Sequence, residues 1–366
     1  MKPKYLYIDD ESPEALKSII NGFNDIGEIE VELVDLEKLR DFESLKTYII
    51  SQNPDGLIID LRLDGEGVNR LNFPATTLAQ DLRTLAASNE IKSFPLVLCS
   101  TSPKMRATYD IDKTSHDLFD YKFEKSLTPE WLKFSIKLKS ISNSYKWLNE
   151  GNRSLDELLN RKDWQHFDSR IFEKFIDEEQ VLKVNDIAQF IIKELFHHPG
   201  ILIKERTLAA RLGVDIEASG EEWNKVKEEL AKDSKYCGVF SDGWERWWND
   251  KILSKFQSIS KGEKLHHLNA KQRVDFLLQA GFNVKPAEPL APYCKSTEFW
   301  TVCEYYKRPL DPLEGFKIFE STELKPWQES KYLSFGAELE RKGRDKGLRP
   351  HPSELQRIKD LKEMLS

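Results

Sequence analysis

Apolar runs alternate with amphipathic stretches through the first 148 residues. The apolar runs predict β-strands at Lys4–Ile8, Glu30–Leu36, Leu57–Leu61, Leu96–Cys99 and about Leu118–Glu124. The first, third and fourth runs are apolar at nearly every position, which is typical of strands that crossover helices bury on both faces. Strands that alternate with helices predict an α/β fold with a doubly wound, five-stranded parallel sheet.

The helices of this region are marked by their own start signals. Ser12 followed by Pro13 predicts an N-cap and a first helical position, and Thr128 followed by Pro129 predicts the same for the last helix. Another amphipathic helix is predicted near Phe42–Ser51. Such helices supply the crossovers that neighbouring parallel strands require.

Ionisable or hydroxyl side chains stand at the C-terminal ends of four of these strands. They are Asp9 and Asp10 after the first, Asp60 at the third, Ser100 at the fourth and Lys125 at the fifth. In open α/β sheets the ligand site lies just outside this edge. Three crowded carboxylates repel one another without a cation, and Mg²⁺ prefers hard oxygen ligands. A dication and a lysine also provide the charge neutralisation that phosphoryl transfer needs. The pattern predicts a phospho-acceptor aspartate beside a Mg²⁺ site.

A simpler interpretation is available for each acid taken singly. Asp9 and Asp10 could cap a turn, and Asp60 could be an incidental loop acid. The agreement of all five positions favours the site over this interpretation.

Residues 1 to about 145 resemble the receiver domain of two-component response regulators, the CheY-like fold. The resemblance implies that a histidine kinase or a phosphotransfer protein phosphorylates Asp60. It implies that Ser100 is the switch hydroxyl and that Lys125 binds the phosphoryl oxygens. Since no enzymatic signature stands out elsewhere in the sequence, no activity is expected beyond phosphoryl transfer to the protein's own Asp60.

The same resemblance implies the ligands of the metal ion. Asp9 and Asp10 would hold Mg²⁺, and Asp60 and the backbone carbonyl of Arg62 would complete the set.

The sequence also departs from the family pattern around the switch. Ser126 replaces the proline that usually follows Lys125, and Lys122 occupies the position of the usual aromatic. The loop after the acceptor reads Asp64-Gly65-Glu66-Gly67, with extra sequence around Val68–Thr77. Phosphorylation of Asp60 should survive these changes. They put in doubt the conformational change that usually follows phosphorylation in this family.

Residues 149–260 are predicted as a mainly helical domain. Helical stretches at Ile187–Phe196, Lys204–Leu212 and Glu221–Lys232 precede a predicted hairpin of Tyr236–Phe240 with Trp244–Trp248. Three helices followed by a hairpin is the order of a winged helix, a module that often reads DNA.

Charge argues against DNA as the partner of this domain. The helix over Glu221–Asp233 has five acidic and three basic residues, so it is a poor occupant of a major groove. Trp244, Trp247 and Trp248 are interpreted either as anchors for a protein partner or as residues that pack the hairpin onto its own helices.

Residues 261–366 are predicted as an irregular subdomain, rich in aromatic residues and proline, with a C-terminal helix. Cys294 and Cys303 have wider spacing than zinc knuckles, so buried thiols are the better interpretation. The basic cluster of Arg341–Arg349 is typical of a solvated surface, and nucleic-acid contact is the minority interpretation. No family resemblance was found for residues 150–366.

Composition limits the class of protein. No apolar run approaches the roughly 18–20 residues that span a bilayer, and nothing resembles a signal peptide. The cysteine pattern fits a reducing cytoplasm. Residues 1–146 hold 19 Lys and Arg against 24 Asp and Glu, and the remainder holds 36 against 38, which is not the balance of a strong nucleic-acid binder. No glycine-rich phosphate loop or nucleophile motif is present.

Three functional hypotheses follow from the sequence. The first is a response regulator whose C-terminal region binds an unidentified protein. The second is a DNA-binding transcriptional regulator with a winged-helix output. The third is a phosphate sink or scaffold within a kinase-operated system such as a bacterial defence pathway. The acidic helix favours the first over the second, and a membrane role is not expected.

Overall fold

The structure is a computed structural model of the 366-residue chain. It describes residues 2–101, 117–125, 130–151, 154–176 and 182–365. The chain divides into two compact units, one of Met1–Glu194 with Cys237–Trp244 and the other of Leu195–Tyr236 with Glu245–Ser366. The three-part division by sequence stays a prediction.

The first unit is built on a five-stranded parallel sheet with the order β2-β1-β3-β4-β5. The strands are β1 (Lys4–Ile8), β2 (Glu30–Leu33), β3 (Gly56–Asp60), β4 (Leu96–Ser100) and β5 (Tyr121–Glu124). This is a doubly wound order, in which the chain reverses direction across the sheet between β1 and β3. The α/β prediction is confirmed, and the sheet is compatible with a receiver-like fold.

Two strands are shorter than predicted. β2 ends at Leu33 instead of Leu36, although the Val34 amide still donates to the Tyr7 carbonyl at 2.9 Å. β5 begins at Tyr121 instead of Leu118, because the Asp120 carboxylate accepts the Leu96 amide at 2.9 Å in place of a strand partner. At β5, a side-chain hydrogen bond thus ends the ladder where an apolar pattern alone would extend it.

Helices cover both faces of the sheet. The helices of this unit are α1 (Pro13–Ile26), α2 (Phe42–Gln52), α3 (Ala75–Ala87), α4 (Trp131–Asn149), α5 (Leu155–Leu159), α6 (Glu173–Ile176) and α7 (Val184–Gln189), which continues as a π-helix over Phe190–Leu195. The predicted cap at Ser12 is confirmed, since its hydroxyl accepts the Ala15 amide. The predicted start at Thr128-Pro129 and the departure at Ser126 lie outside the described residues. The helix over Ala75–Ala87 was not predicted, because it has no side-chain cap.

Alternate residues of each strand face opposite layers. Leu57 and Ile59 belong to the core that includes Leu78 of α3, whereas Ile58 belongs to the core that includes Phe23 of α1. All three strand residues are fully buried. This burial on both faces explains why the run reads as continuously apolar.

A buried ion pair joins α3 to the N-terminal end of β5. Arg83 Nη2 lies 2.7 Å from Asp120 Oδ2, and the Tyr145 hydroxyl donates to Asp120 Oδ1 at 2.6 Å. The Asp120 and Arg83 side chains are almost completely buried. This network ties together α3, β4, β5 and α4, at the sheet edge opposite the acidic strand ends.

The segment Cys237–Trp244 packs against α4 as part of the first unit. The Phe240 amide donates to the Ser144 hydroxyl at 2.9 Å. The Trp244 ring meets the Tyr121 ring edge-on, with centroids 5.8 Å apart. Of the predicted pairing of Tyr236–Phe240 with Trp244–Trp248, the described residues show the Tyr236 amide donating to the Arg246 carbonyl at 2.9 Å, without a strand over Tyr236–Phe240.

The second unit contains short elements arranged around their own core. They are β6 (Leu202–Ile203), α8 (Glu205–Leu212), α9 (Ile216–Ser219), α10 (Glu221–Lys225, continuing as a π-helix over Val226–Leu230), β7 (Trp247–Trp248), α11 (Asn249–Ile259), α12 (Ala270–Gln279), β8 (Thr301–Val302), β9 (Pro309–Leu310), β10 (Gly315–Lys317), β11 (Tyr332–Ser334), α13 (Phe335–Leu339) and α14 (Leu355–Leu365). Three antiparallel pairs form, β6 with β7, β8 with β9, and β10 with β11.

The winged helix is not confirmed. Trp247–Trp248 pairs with Leu202–Ile203, and Lys235 bridges Trp247. Trp244, Trp247 and Trp248 are all buried, so they serve internal packing and are not surface anchors. Among the described helices, none has the length and apolar character needed to cross a membrane.

Candidate functional site

The C-terminal edge of the sheet brings three carboxylates together. Asp9 and Asp10 directly follow β1, and Asp60 is the last residue of β3, its neighbour in the sheet. One carboxylate oxygen of each lies within 4.8 Å of the others, and all three side chains are buried. The predicted acidic cluster therefore forms, because parallel strands end at a common edge.

Lys125 lies between two of these carboxylates. Its Nζ is 2.7 Å from Asp9 Oδ2 and 2.8 Å from Asp60 Oδ1, and 3.8 Å from the more exposed Glu11. The residue directly follows β5, and its amide donates to the Ser100 carbonyl at 3.1 Å. The predicted lysine is thus placed by the strand ladder against the predicted acceptor.

Burial and crowding set the protonation of the site. Burial raises the pKa of Asp9 to about 6; Lys125 opposes this rise and Asp60 adds to it. Burial acts to lower the pKa of Lys125, but Asp9 and Asp60 outweigh it and raise that pKa. The lysine therefore stays charged, while one carboxylate is held close to its titration point near neutrality.

The loop after β3 holds Asp10 through backbone groups. The Gly67 amide donates to Asp10 Oδ2 at 3.0 Å, and the Asn69 amide donates to the Asp10 carbonyl at 2.9 Å. A Cβ on Gly67 would overlap the Asp10 carbonyl and carboxylate. The Asp64-Gly65-Glu66-Gly67 sequence thus allows this loop to close over the acids, because only glycine fits at position 67.

Arg62 contributes through its backbone. Its amide donates to Asp60 Oδ2 at 2.9 Å, which orients the proposed acceptor carboxylate. Its carbonyl accepts the Gly65 amide at 3.2 Å and keeps a second lone pair. A Cβ on Gly65 would lie 3.1 Å from both this carbonyl and Asp10 Oδ2, so the two oxygens face the same position.

Ser100 ends β4 and is fully buried. Its hydroxyl has no hydrogen-bond partner among the described residues. An unpaired buried hydroxyl costs free energy unless a ligand or water satisfies it. The Ser100 hydroxyl is therefore available to donate a hydrogen bond to a ligand oxygen at this edge of the sheet.

The residues present fit a hard divalent cation. Three buried carboxylates supply oxygen ligands. Among the described residues Lys125 is the only cation in contact with them, so the cluster keeps a net negative charge. Mg²⁺ is commonly held by one or two carboxylates with water and phosphate oxygens. Asp9, Asp10 and Asp60 would hold it, with the Arg62 carbonyl as a fourth oxygen donor.

A cleft of about 240 Å³ opens beside Asp9 and is lined in part by Glu11, Leu36 and Asn69. Of the three acids, Asp9 lines this cleft. Sequence reasoning noted Gly67 in the loop without giving it a role, and it missed Asn69, which lies in the extra sequence around Val68–Thr77. The two glycines of this loop, Gly65 and Gly67, were the signal in the sequence that the loop packs closely against the acids.

No protein-family model matches this chain, and no curated protein matches its sequence.

Proposed function

We propose that the first unit is a response-regulator-type phospho-acceptor module in which Asp60 is phosphorylated with Mg²⁺ by a histidine kinase or a phosphotransfer protein. The observation that carries the proposal is the placement of Lys125 Nζ 2.8 Å from Asp60 within a cluster of three buried carboxylates. Acids that only cap a turn do not need to be buried next to one another.

The chemistry follows from the positions of the side chains. One oxygen of Asp60 attacks the phosphorus of the donor, the bond from phosphorus to the donor's nitrogen or oxygen breaks, and its electron pair leaves with the donor. The product is an acyl phosphate on Asp60. Bound Mg²⁺ would neutralise charge on the phosphoryl oxygens.

Lys125 and Ser100 complete the proposed mechanism. Lys125 already neutralises Asp60 in the resting protein, and in the product its ammonium binds a phosphoryl oxygen instead. The Ser100 hydroxyl, which has no partner in the described chain, donates to another. Both side chains thus contact phosphoryl oxygens that are present only after the transfer.

The test is phosphorylation of the full chain by acetyl phosphate with Mg²⁺, followed by intact-mass measurement. We expect one phosphoryl group on the wild type, none without Mg²⁺ and none on Asp60→Asn. Asp64→Asn, in the loop that follows, is the matched control and should be labelled like the wild type. Equal labelling of Asp60→Asn and the control would show that the acceptor lies elsewhere.

We further propose that the remainder of the chain acts by binding protein and not duplex DNA. On α10 and its π-helical continuation, Trp223 and Val226 are buried, whereas Glu221, Glu228 and Glu229 are exposed. A helix that presents carboxylates to solvent is repelled by phosphates. This observation also favours the first hypothesis over the transcription factor.

A titration with random duplex DNA at about 150 mM salt tests this part. We expect at most weak binding, since few phosphates would be neutralised. Tight binding with a steep salt dependence, lost when Arg341–Arg349 is neutralised, would replace the protein-binding proposal with the transcription-factor alternative.

A further inference from the structure

The second unit holds a cluster of metal-ligating side chains separate from the acidic site. Ligand atoms of His197, His198 and Glu320 lie within 4.8 Å of one another. We propose that these three residues bind a divalent transition-metal ion, with Zn²⁺ as the ion that suits them best. This proposal does not depend on the function proposed for the first unit.

A ring nitrogen and a carboxylate oxygen face each other in this cluster. His198 Nδ1 lies 3.4 Å from Glu320 Oε2, yet this buried nitrogen makes no hydrogen bond within the described chain. A buried ring nitrogen without a hydrogen-bond partner, next to a carboxylate oxygen, is a position that a bound cation would satisfy.

The carboxylate is already oriented for such a role. Lys331 Nζ lies 2.9 Å from Glu320 Oε1, the oxygen that does not face His198. Metal-ligating carboxylates typically have a hydrogen-bonded partner on the other oxygen, which fixes their orientation. Lys331 thus satisfies one oxygen and leaves the other available.

Backbone pairing fixes the turn that carries the histidines. The Glu329 amide donates to the Pro199 carbonyl at 2.8 Å, and Gly200 pairs with Gln328. Gly200 has φ 145°, and a side chain there would overlap the Trp327 carbonyl. The turn after the π-helix is therefore held next to the connection between β10 and β11, whose base carries Glu320 and Lys331.

The donor set selects the class of ion. Two imidazoles and one carboxylate suit Zn²⁺ and its neighbours, whereas Mg²⁺ prefers oxygen ligands alone. Ligand bonds of about 2.0–2.1 Å in a tetrahedral site would place the donor atoms about 3.3 Å apart. His198 and Glu320 are already at 3.4 Å, so the closure, of up to about 1.5 Å, falls on the other pairs of donor atoms. His197 is exposed and can make this movement. Three protein ligands also leave one position for water.

The chain contains a matched control for the histidine pair. His266 and His267 are also adjacent and stack edge-on, with ring centroids 4.2 Å apart against 4.9 Å for His197 and His198. In the described chain, this second pair is not grouped with a carboxylate. It therefore measures what two neighbouring imidazoles bind without the proposed third ligand.

The experiment is calorimetric titration of the full chain with Zn²⁺, in a Cys237→Ser background because Cys237 is an exposed thiol. We expect a site whose affinity falls about 100-fold or more in His197→Ala and in Glu320→Gln. The double variant His266→Ala/His267→Ala should bind like the parent. Mg²⁺ should neither occupy this site nor compete for it.

Visible absorption after Co²⁺ substitution is the second readout, since nitrogen ligation changes the intensity of the Co²⁺ bands. Loss of these bands in His197→Ala and Glu320→Gln supports the site. Unchanged Zn²⁺ affinity in both variants, or a loss confined to His266→Ala/His267→Ala, would overturn it.

Discussion

Replacement of Asp9 by Asn should stabilise the metal-free protein at pH 8. In the resting site Asp9 is a buried carboxylate that shares Lys125 with Asp60. Burial raises the pKa of Asp9 from 3.8 to about 6. At about 1.4 kcal/mol for each pKa unit, the folded state disfavours the charged form by about 3 kcal/mol.

This figure is an upper bound for the substitution. Asp9 accepts hydrogen bonds from the Tyr7 hydroxyl at 3.2 Å and from the Glu11 amide at 3.2 Å, one on each oxygen. Asn has a single acceptor oxygen, so its NH₂ group must face one of these donors or Lys125. That mismatch costs about 1 kcal/mol or more, which leaves an expected gain of about 1–2 kcal/mol.

The sign of the pH dependence separates this explanation from a general packing effect. Because the folded pKa lies above the unfolded one, the penalty is absent below about pH 4 and reaches its full size above about pH 6. The gain from Asp9→Asn should therefore be present at pH 8 and absent at pH 4. The free energy of unfolding of the wild type in EDTA should decrease as the pH rises from 4 to 8.

Urea unfolding in EDTA at both pH values measures the effect. Glu66→Gln, at an exposed acid of the neighbouring loop, is the control and should change little. Added Mg²⁺ should stabilise the wild type more than Asp9→Asn, since a ligand that binds only the folded state adds stability in proportion to its affinity. A variant less stable than the wild type at pH 8, or equally stabilised at pH 4, would refute the reasoning.

Three further substitutions test other parts of the first unit. Gly67→Ala should displace the loop from Asp10 and weaken Mg²⁺ binding measured by calorimetry, because the new methyl group overlaps the Asp10 backbone. Lys125→Met should abolish stable phosphorylation and raise the pKa of Asp9 further, as seen by infrared titration of its carboxyl group, because the lysine that opposes the rise is gone. Arg83→Met should cost about 3–5 kcal/mol in urea unfolding, because it leaves Asp120 buried without its cation.

Each of these has an outcome that would contradict it. Unchanged Mg²⁺ affinity in Gly67→Ala would show that the loop is not part of the site. Normal acceptance of phosphate by Lys125→Met would remove the lysine from the mechanism, and a small change in Arg83→Met would show that Asp120 becomes protonated or hydrated at little cost.

Local sequence determined much of the first unit. The apolar runs, the Ser12-Pro13 start signal and the acids after β1 and β3 depend on residues close in the chain, and their periodicity reports burial directly. Because parallel strands must end at one edge, the meeting of Asp9, Asp10, Asp60 and Lys125 followed from strand order alone.

Only the tertiary structure decided features that depend on distant residues. The ion pair of Arg83 with Asp120 joins positions 37 residues apart, and nothing in either neighbourhood marks it. The Cys237–Trp244 segment joins the first unit because the side chains of α4 and β5 provide its contacts, so a local hairpin pattern could not place it.

The same reason separates the two candidate metal clusters. The acidic cluster was visible in the sequence because each acid ends a strand of a known sheet order. His197 and His198 lie more than a hundred residues from Glu320, and they meet only because the 197–200 turn pairs with residues 328 and 329. Sequence periodicity reports which face of an element is buried, whereas long-range contacts between irregular segments depend on the packing of the folded chain.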